Sequence, residues 1–111
     1  MSGPVRAEAI RRLNDSFRQS LQGGRVLMTS GVSALPRETC AAILSRVREF
    51  TAFSKANDPY GEHDFGNFEE AGHKVYWKID YYDSTMTYGS GDPADPARTT
   101  RVLTIMLAEE Y

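Results

Sequence analysis

The chain reads as one small α+β domain in the order α-β-α-β-β-β-α, a mainly antiparallel sheet with helices packed on it. Three observations predict this. The first half carries two apolar stripes at helical spacing, the second half contains an alternating run, KVYWKIDYY, and a turn-rich stretch, NDPYGEHDFG, divides them. Separate blocks of helix and strand favour α+β over a parallel α/β sheet. With 111 residues, 41% hydrophobic and 25% charged, the sequence has the size and composition of one folded domain, residues 1–111.

The elements follow in order. Residues 1–24 hold an amphipathic helix, Val5 to Leu21, whose Ile10, Leu13, Phe17 and Leu21 share one face. Gly23-Gly24 stops it. Arg25 to Ser30 is short, apolar and β-prone, and reads as a strand. A second helix runs from Pro36 to Phe50, with Cys40, Ile43, Leu44, Val47 and Phe50 on its buried stripe. Cys40 is therefore expected to be a core residue, since no neighbouring cation or histidine motif activates it.

Phe65–Glu69 and Lys74–Tyr82 form a hairpin that turns at Ala71-Gly72, with His73 near its tip. Alternation sends Val75, Trp77, Ile79 and Tyr81 to one face and Tyr76, Lys78, Asp80 and Tyr82 to the other. A third strand, Thr85 to Gly89, turns back after Asp83-Ser84. Asp95 then caps a closing helix from Ala97 to Glu109, with Pro96 at its first position.

Composition limits the function classes. One cysteine excludes an internal disulfide framework and fits a reducing compartment, so a cytoplasmic location is expected. No apolar run approaches the roughly 20 residues of a membrane span, and no signal-peptide core is evident. The net charge of −2 hides an asymmetry. Residues 1–56 carry nine Arg/Lys against four Asp/Glu, a balance of +5, and residues 57–111 carry four against eleven, a balance of −7. All six tyrosines and the one tryptophan lie in the second half. Either the halves interleave their charges on one surface, or the asymmetry marks a partner-binding face.

Three sets of candidate residues follow. The first is the polar face of the long strand, where Tyr76, Lys78, Asp80 and Tyr82 combine an ion pair with two tyrosines. Either a helix covers this face and Asp80 satisfies buried donors, or the face is open and meets another protein. Asp83, Tyr88 and the loop acids Glu62 and Asp64 extend the partner-binding set. An acidic, tyrosine-rich surface can also imitate a nucleic-acid backbone in a partner's basic channel.

The second set is a catalytic alternative, a small metal-dependent hydrolase using His63, Asp64 and Asp80. Oxygen and nitrogen donors suit both metal binding and proton transfer. The spacing of Asp58, Glu62, His63 and Asp64 is not that of a ligand motif, and loop Asp and His residues commonly fix turns. No Walker loop, CxxC, HExxH or GxSxG is present, so no metal and no cofactor is expected. The third set, Arg11, Arg12 and Arg18 on the first helix, offers phosphate contacts to nucleic acid. The chain lacks a recognisable nucleic-acid-binding signature.

The stretches NDPYGEHDFGNFE, VYWKIDYYD and DPADPARTTRVLTIMLAEEY, with GVSALP ahead of the second helix, resemble a family of short bacterial proteins of unknown function. That family is associated with proteobacterial genomes and plasmids. The resemblance spans roughly residues 25–111, a family-like core that leaves the first helix as the least characteristic part. It brings no catalytic residues with it. It implies accessory cargo of a mobile element, with a role in plasmid maintenance or in countering host defence as an inhibitor. The leading expectation is a non-enzymatic module that binds another protein.

Overall fold

A computed structural model describes residues 3–111, with side chains from residue 5 onward; Met1 and Ser2 lie outside the described residues. Helix α1 spans Gly3–Ser20 and strand β1 Gly24–Met28. A one-turn helix α2, Ser30–Ser33, and helix α3, Arg37–Glu49, follow. The hairpin is β2, Phe65–Glu70, and β3, His73–Tyr82, and the last strand β4 is Thr100–Leu107. The sheet order is β1-β4-β3-β2, with β1 parallel to β4 and the other pairs antiparallel. The α+β class and the largely antiparallel sheet are as predicted.

The core forms between the helices and one sheet face. Phe17, Val32, Ile43 and Val47 from the helices meet Val75, Trp77, Ile79, Leu103, Ile105 and Leu107 from β3 and β4. The alternation in β3 assigns its faces correctly. Ala71 and Gly72 both take positive φ, 52° and 81°, as a two-residue type I′ turn requires. At residue 66 a Cβ would stand 2.5 Å from Trp77 Nε1 and 2.8 Å from Phe50, so the indole packs against β2 only because this position is glycine.

Four expectations need correction. The closing segment is a strand. Asp95 does cap a helical start, accepting a 3.0 Å bond from Ala97 N, but the turn is 3-10 and ends at Arg98. Thr99-Thr100 and the branched residues after them then favour an extended chain. β4 sits between β1 and β3, and Val102, Leu103, Ile105, Met106 and Leu107 are all buried, so the alternation that marks a half-buried strand is missing.

The expected strand Thr85–Gly89 reduces to a single bridge between Tyr82 and Gly89. Asp83 Oδ1 instead accepts from Thr85 N, Thr85 Oγ1 and Thr87 N, closing a local turn. The buried stripe of α1 runs through Ile10, Asn14, Phe17 and Arg18, leaving Leu13 half-buried. Cys40 is also only half-buried, its thiol donating to Val32 O at 3.1 Å.

Candidate functional site

Two polar regions flank the sheet, one on each side. On the helix side, Arg18 is 2% exposed. Its Nη1 donates to the carbonyls of Val47, Arg48 and Phe50, at 2.8, 3.2 and 3.0 Å. These lie at the C-terminus of α3, where carbonyls have no helical partner and the helix dipole is negative, so the guanidinium caps the helix. Nη2 binds Asp15 Oδ1 at 2.9 Å, and the guanidinium lies over the rings of Trp77 and Phe53. Arg18 is thus a core residue, which removes it from the phosphate-contacting set. Arg12 pairs with Glu8 at 2.7 Å, and Arg11 donates to Gly61 O.

The loop histidine joins the same cluster. His63 Nδ1 lies 2.9 and 3.1 Å from the two oxygens of Asp15, and its Nε2 is 3.7 Å from Asp58 Oδ2. Its ring stacks on Phe53 at 3.7 Å with a 4° interplanar angle. Asp58, almost fully buried, also accepts from the backbone of Glu62 and His63. This carboxylate holds the chain through Gly61 and His63, both at positive φ. Asp15, Arg18, Arg48, Phe53 and His63 line a cleft of about 360 Å³.

A second helix-side network ties α1 to the sheet. Asn14 donates to Tyr81 Oη at 2.8 Å and to Glu62 O at 3.0 Å, and accepts from Arg101 Nε at 2.7 Å. Tyr81 donates to Glu62 Oε1 at 2.9 Å, and Arg101 Nη2 reaches Pro93 O. Burial pushes the Tyr81 phenol well above its ordinary range and lowers the Arg101 guanidinium, because each charged form loses solvent. Burial, then the nearby Glu62, raises the Asp64 carboxyl.

On the opposite side of the sheet, Tyr76, Lys78, Asp80 and Tyr82 each remain partly exposed. Lys78 Nζ and Asp80 Oδ2 pair at 2.9 Å, with side chains 41% and 38% exposed. The hydrogen bond that Lys78 donates to Asp80 holds its ammonium above the usual range. Tyr76 forms a three-ring cluster with Phe65 and Tyr111, at centroid distances of 5.2 to 6.0 Å. Val32, Ile43, Val47 and Phe17 all pack on the other face, so no helix covers this one; it is open along β3, while Val102 and Met106 of β4, beside Asp80 and Tyr76, are buried.

The expected partner-binding set is therefore divided. Tyr76, Lys78, Asp80 and Tyr82 share the open face. Glu62 turns into the Tyr81 network, Asp83 closes its own turn, and Tyr88 is exposed on the loop that follows. The hydrolase trio is divided too, with His63 on Asp15 and Asp80 on Lys78. Among the described residues, no three His, Cys, Asp or Glu side chains converge to hold a metal ion. Nor is any helix there long and apolar enough to cross a membrane.

Sequence reasoning missed Asp15, Phe53, Phe65 and Tyr111, because each acquires its role only through tertiary contact. Charges from the two halves do interleave in places, with Arg6–Asp92 at 3.5 Å and Arg46–Glu70 at 3.2 Å. A model of the family described as protein of unknown function (DUF3768) matches residues 28–110. No curated protein matches the chain, and no solved structure does.

Proposed function

By that match the chain belongs to the DUF3768 family, and we propose that it works as a non-enzymatic protein-interaction module whose contact surface is the open sheet face. The observation that carries this reading is the half-exposed Tyr76, Lys78, Asp80 and Tyr82 on the side opposite the helices. Tyrosine supplies apolar area and a hydroxyl with few rotatable bonds, and is enriched at protein interfaces. The Lys78–Asp80 pair at the centre offers a donor and an acceptor to a partner. Resemblance to plasmid-associated proteins supports the finer reading, a cytoplasmic accessory or inhibitor factor of a mobile element.

The test is a triple variant, Tyr76→Ser with Asp80→Asn and Tyr82→Ser. It is expected to lose the protein that co-purifies with the wild type in its native host while its melting temperature stays close to wild type. Retained capture, or loss of capture only because the variant unfolds, contradicts the assignment.

A further inference from the structure

The two edges of the sheet are finished differently. At the β2 edge, Arg46 donates to Glu69 O at 3.1 Å and pairs with Glu70, and the strand carries two acids that oppose strand-to-strand contact. The β1 edge, Gly24-Arg25-Val26-Leu27-Met28, has no acid and no proline, and Leu27 is 51% exposed. Thr29 N donates to Ile105 O at 3.0 Å, which sets the phase of the parallel ladder. Arg25, Leu27 and Thr29 turn their backbone groups toward β4, so Gly24, Val26 and Met28 turn theirs outward. Among the described residues, the only contact these receive is Ser33 Oγ on Met28 O, at a long 3.5 Å.

We propose that this edge pairs with the same edge of a second copy of the chain, antiparallel about a two-fold axis at Val26. Both sheets then join into one of eight strands. The residue pattern is self-complementary in that register. Val26 faces its own copy, Gly24 faces the other copy's Met28, and Arg25 stands across from Leu27 of the second copy instead of from another arginine. Two-fold dimers with self-complementary patches are the commonest oligomers.

Charge supports the same partner. Arg25 has no ion-pair or hydrogen-bond partner among the described residues and projects to the open-face side, as do Leu27 and Thr29. At the far end of the strand Glu110 accepts from Thr29 Oγ1 at 2.6 Å, Leu107 N at 2.9 Å and Gly31 N at 3.0 Å, and these neutral donors leave its charge unpaired on an exposed side chain. In the antiparallel register this carboxylate lies two residues beyond the position facing the other copy's Arg25, roughly 7 Å along the strand and within arginine's reach. The pairing would thus match a cation of the basic half with an anion of the acidic half, twice per dimer. It does not depend on the open face binding a partner, although it would set two such faces side by side.

Sedimentation of the purified full chain over a concentration series tests this. The expected result is a reversible monomer–dimer equilibrium. Val26→Pro removes an outward N–H, at a place where an edge strand accepts proline, and keeps an apolar side chain against the core that Val26 touches. It should give monomer at every concentration with an unchanged far-ultraviolet circular dichroism spectrum. Arg25→Glu, which leaves the backbone edge intact, should raise the dimer dissociation constant by about tenfold, an effect that grows as salt is lowered. A wild type that stays monomeric throughout overturns the proposal. So does a dimer that both variants retain, or a monomer whose β1 edge is required to hold a different protein.

Discussion

The helix side and the open side of this sheet hold the same kinds of residue, Asp, Tyr and a cation, and use them in opposite ways. On the helix side, Asp15, Arg18, Asn14, Tyr81 and Arg101 bond to one another and to backbone carbonyls, so their polarity is consumed in joining α1 and the 50–64 loop to the sheet. On the open side, Lys78 and Asp80 satisfy each other while Tyr76 and Tyr82 keep part of their surface in solvent. Residue type alone does not distinguish a structural carboxylate from one available to a partner. Whether its charge is already paired or buried does.

The largest effect should come from Arg18→Ala. It leaves the Arg48 and Phe50 carbonyls without the guanidinium, leaves Val47 O with only the long bond from Phe50 N, and strips Asp15 of a partner, for a loss of about 3–5 kcal/mol in chemical denaturation. Asn14→Ala should cost about 2 kcal/mol, because Arg101 Nε and the Tyr81 hydroxyl lose a shared, buried partner. Gly66→Ala should cost about 1–3 kcal/mol by pushing Trp77 and Phe50 apart, with a change in tryptophan fluorescence. Tyr82→Ser on the open face should change stability by less than about 1 kcal/mol. If it costs as much as Asn14→Ala, the two sides do not differ as described.

The smallest effect concerns acid stability. The Glu110 carboxyl is held below its ordinary range by the Thr29 hydroxyl first, then by the backbone amides of Leu107 and Gly31. A carboxyl lowered in the folded state contributes stability that is full above its unfolded pKa and is lost as pH falls through the folded value. Glu110→Gln should therefore narrow the gap in melting temperature between neutral and acidic solution. An equal gap in both proteins would show that the Thr29 contact does not form. Asp64, raised by burial, acts in the opposite sense, favouring the fold at low pH and losing that contribution as pH rises through its folded value.

Much of the fold was legible because its signals are local. The existence of α1 and α3, the Ala71-Gly72 turn and the β3 alternation each rest on signals within a few neighbouring residues. β4 was not, since burial on both faces erases the period of two, and the sound helix-start signal at Asp95-Pro96 serves only a 3-10 turn. α2 is a single turn, too short to show a period. The open-face residues were legible by alternation, whereas whether a helix would cover them depends on contacts between distant segments. Arg18 and Asn14 were illegible as core residues, because their burial depends on carbonyls and a tyrosine some 30 to 70 residues away.

Hydroxyl-radical footprinting of the chain, alone and with the protein captured from its host, tests the difference between the two sides most directly. The partner is predicted to shield Tyr76 and Tyr82 and to leave Phe53 and His63 in the cleft, and Tyr60, exposed on the 50–64 loop, as reactive as in the isolated chain. Shielding confined to Phe53 and His63, with Tyr76 and Tyr82 unchanged, would move the functional surface to the cleft on the helix side and contradict the account.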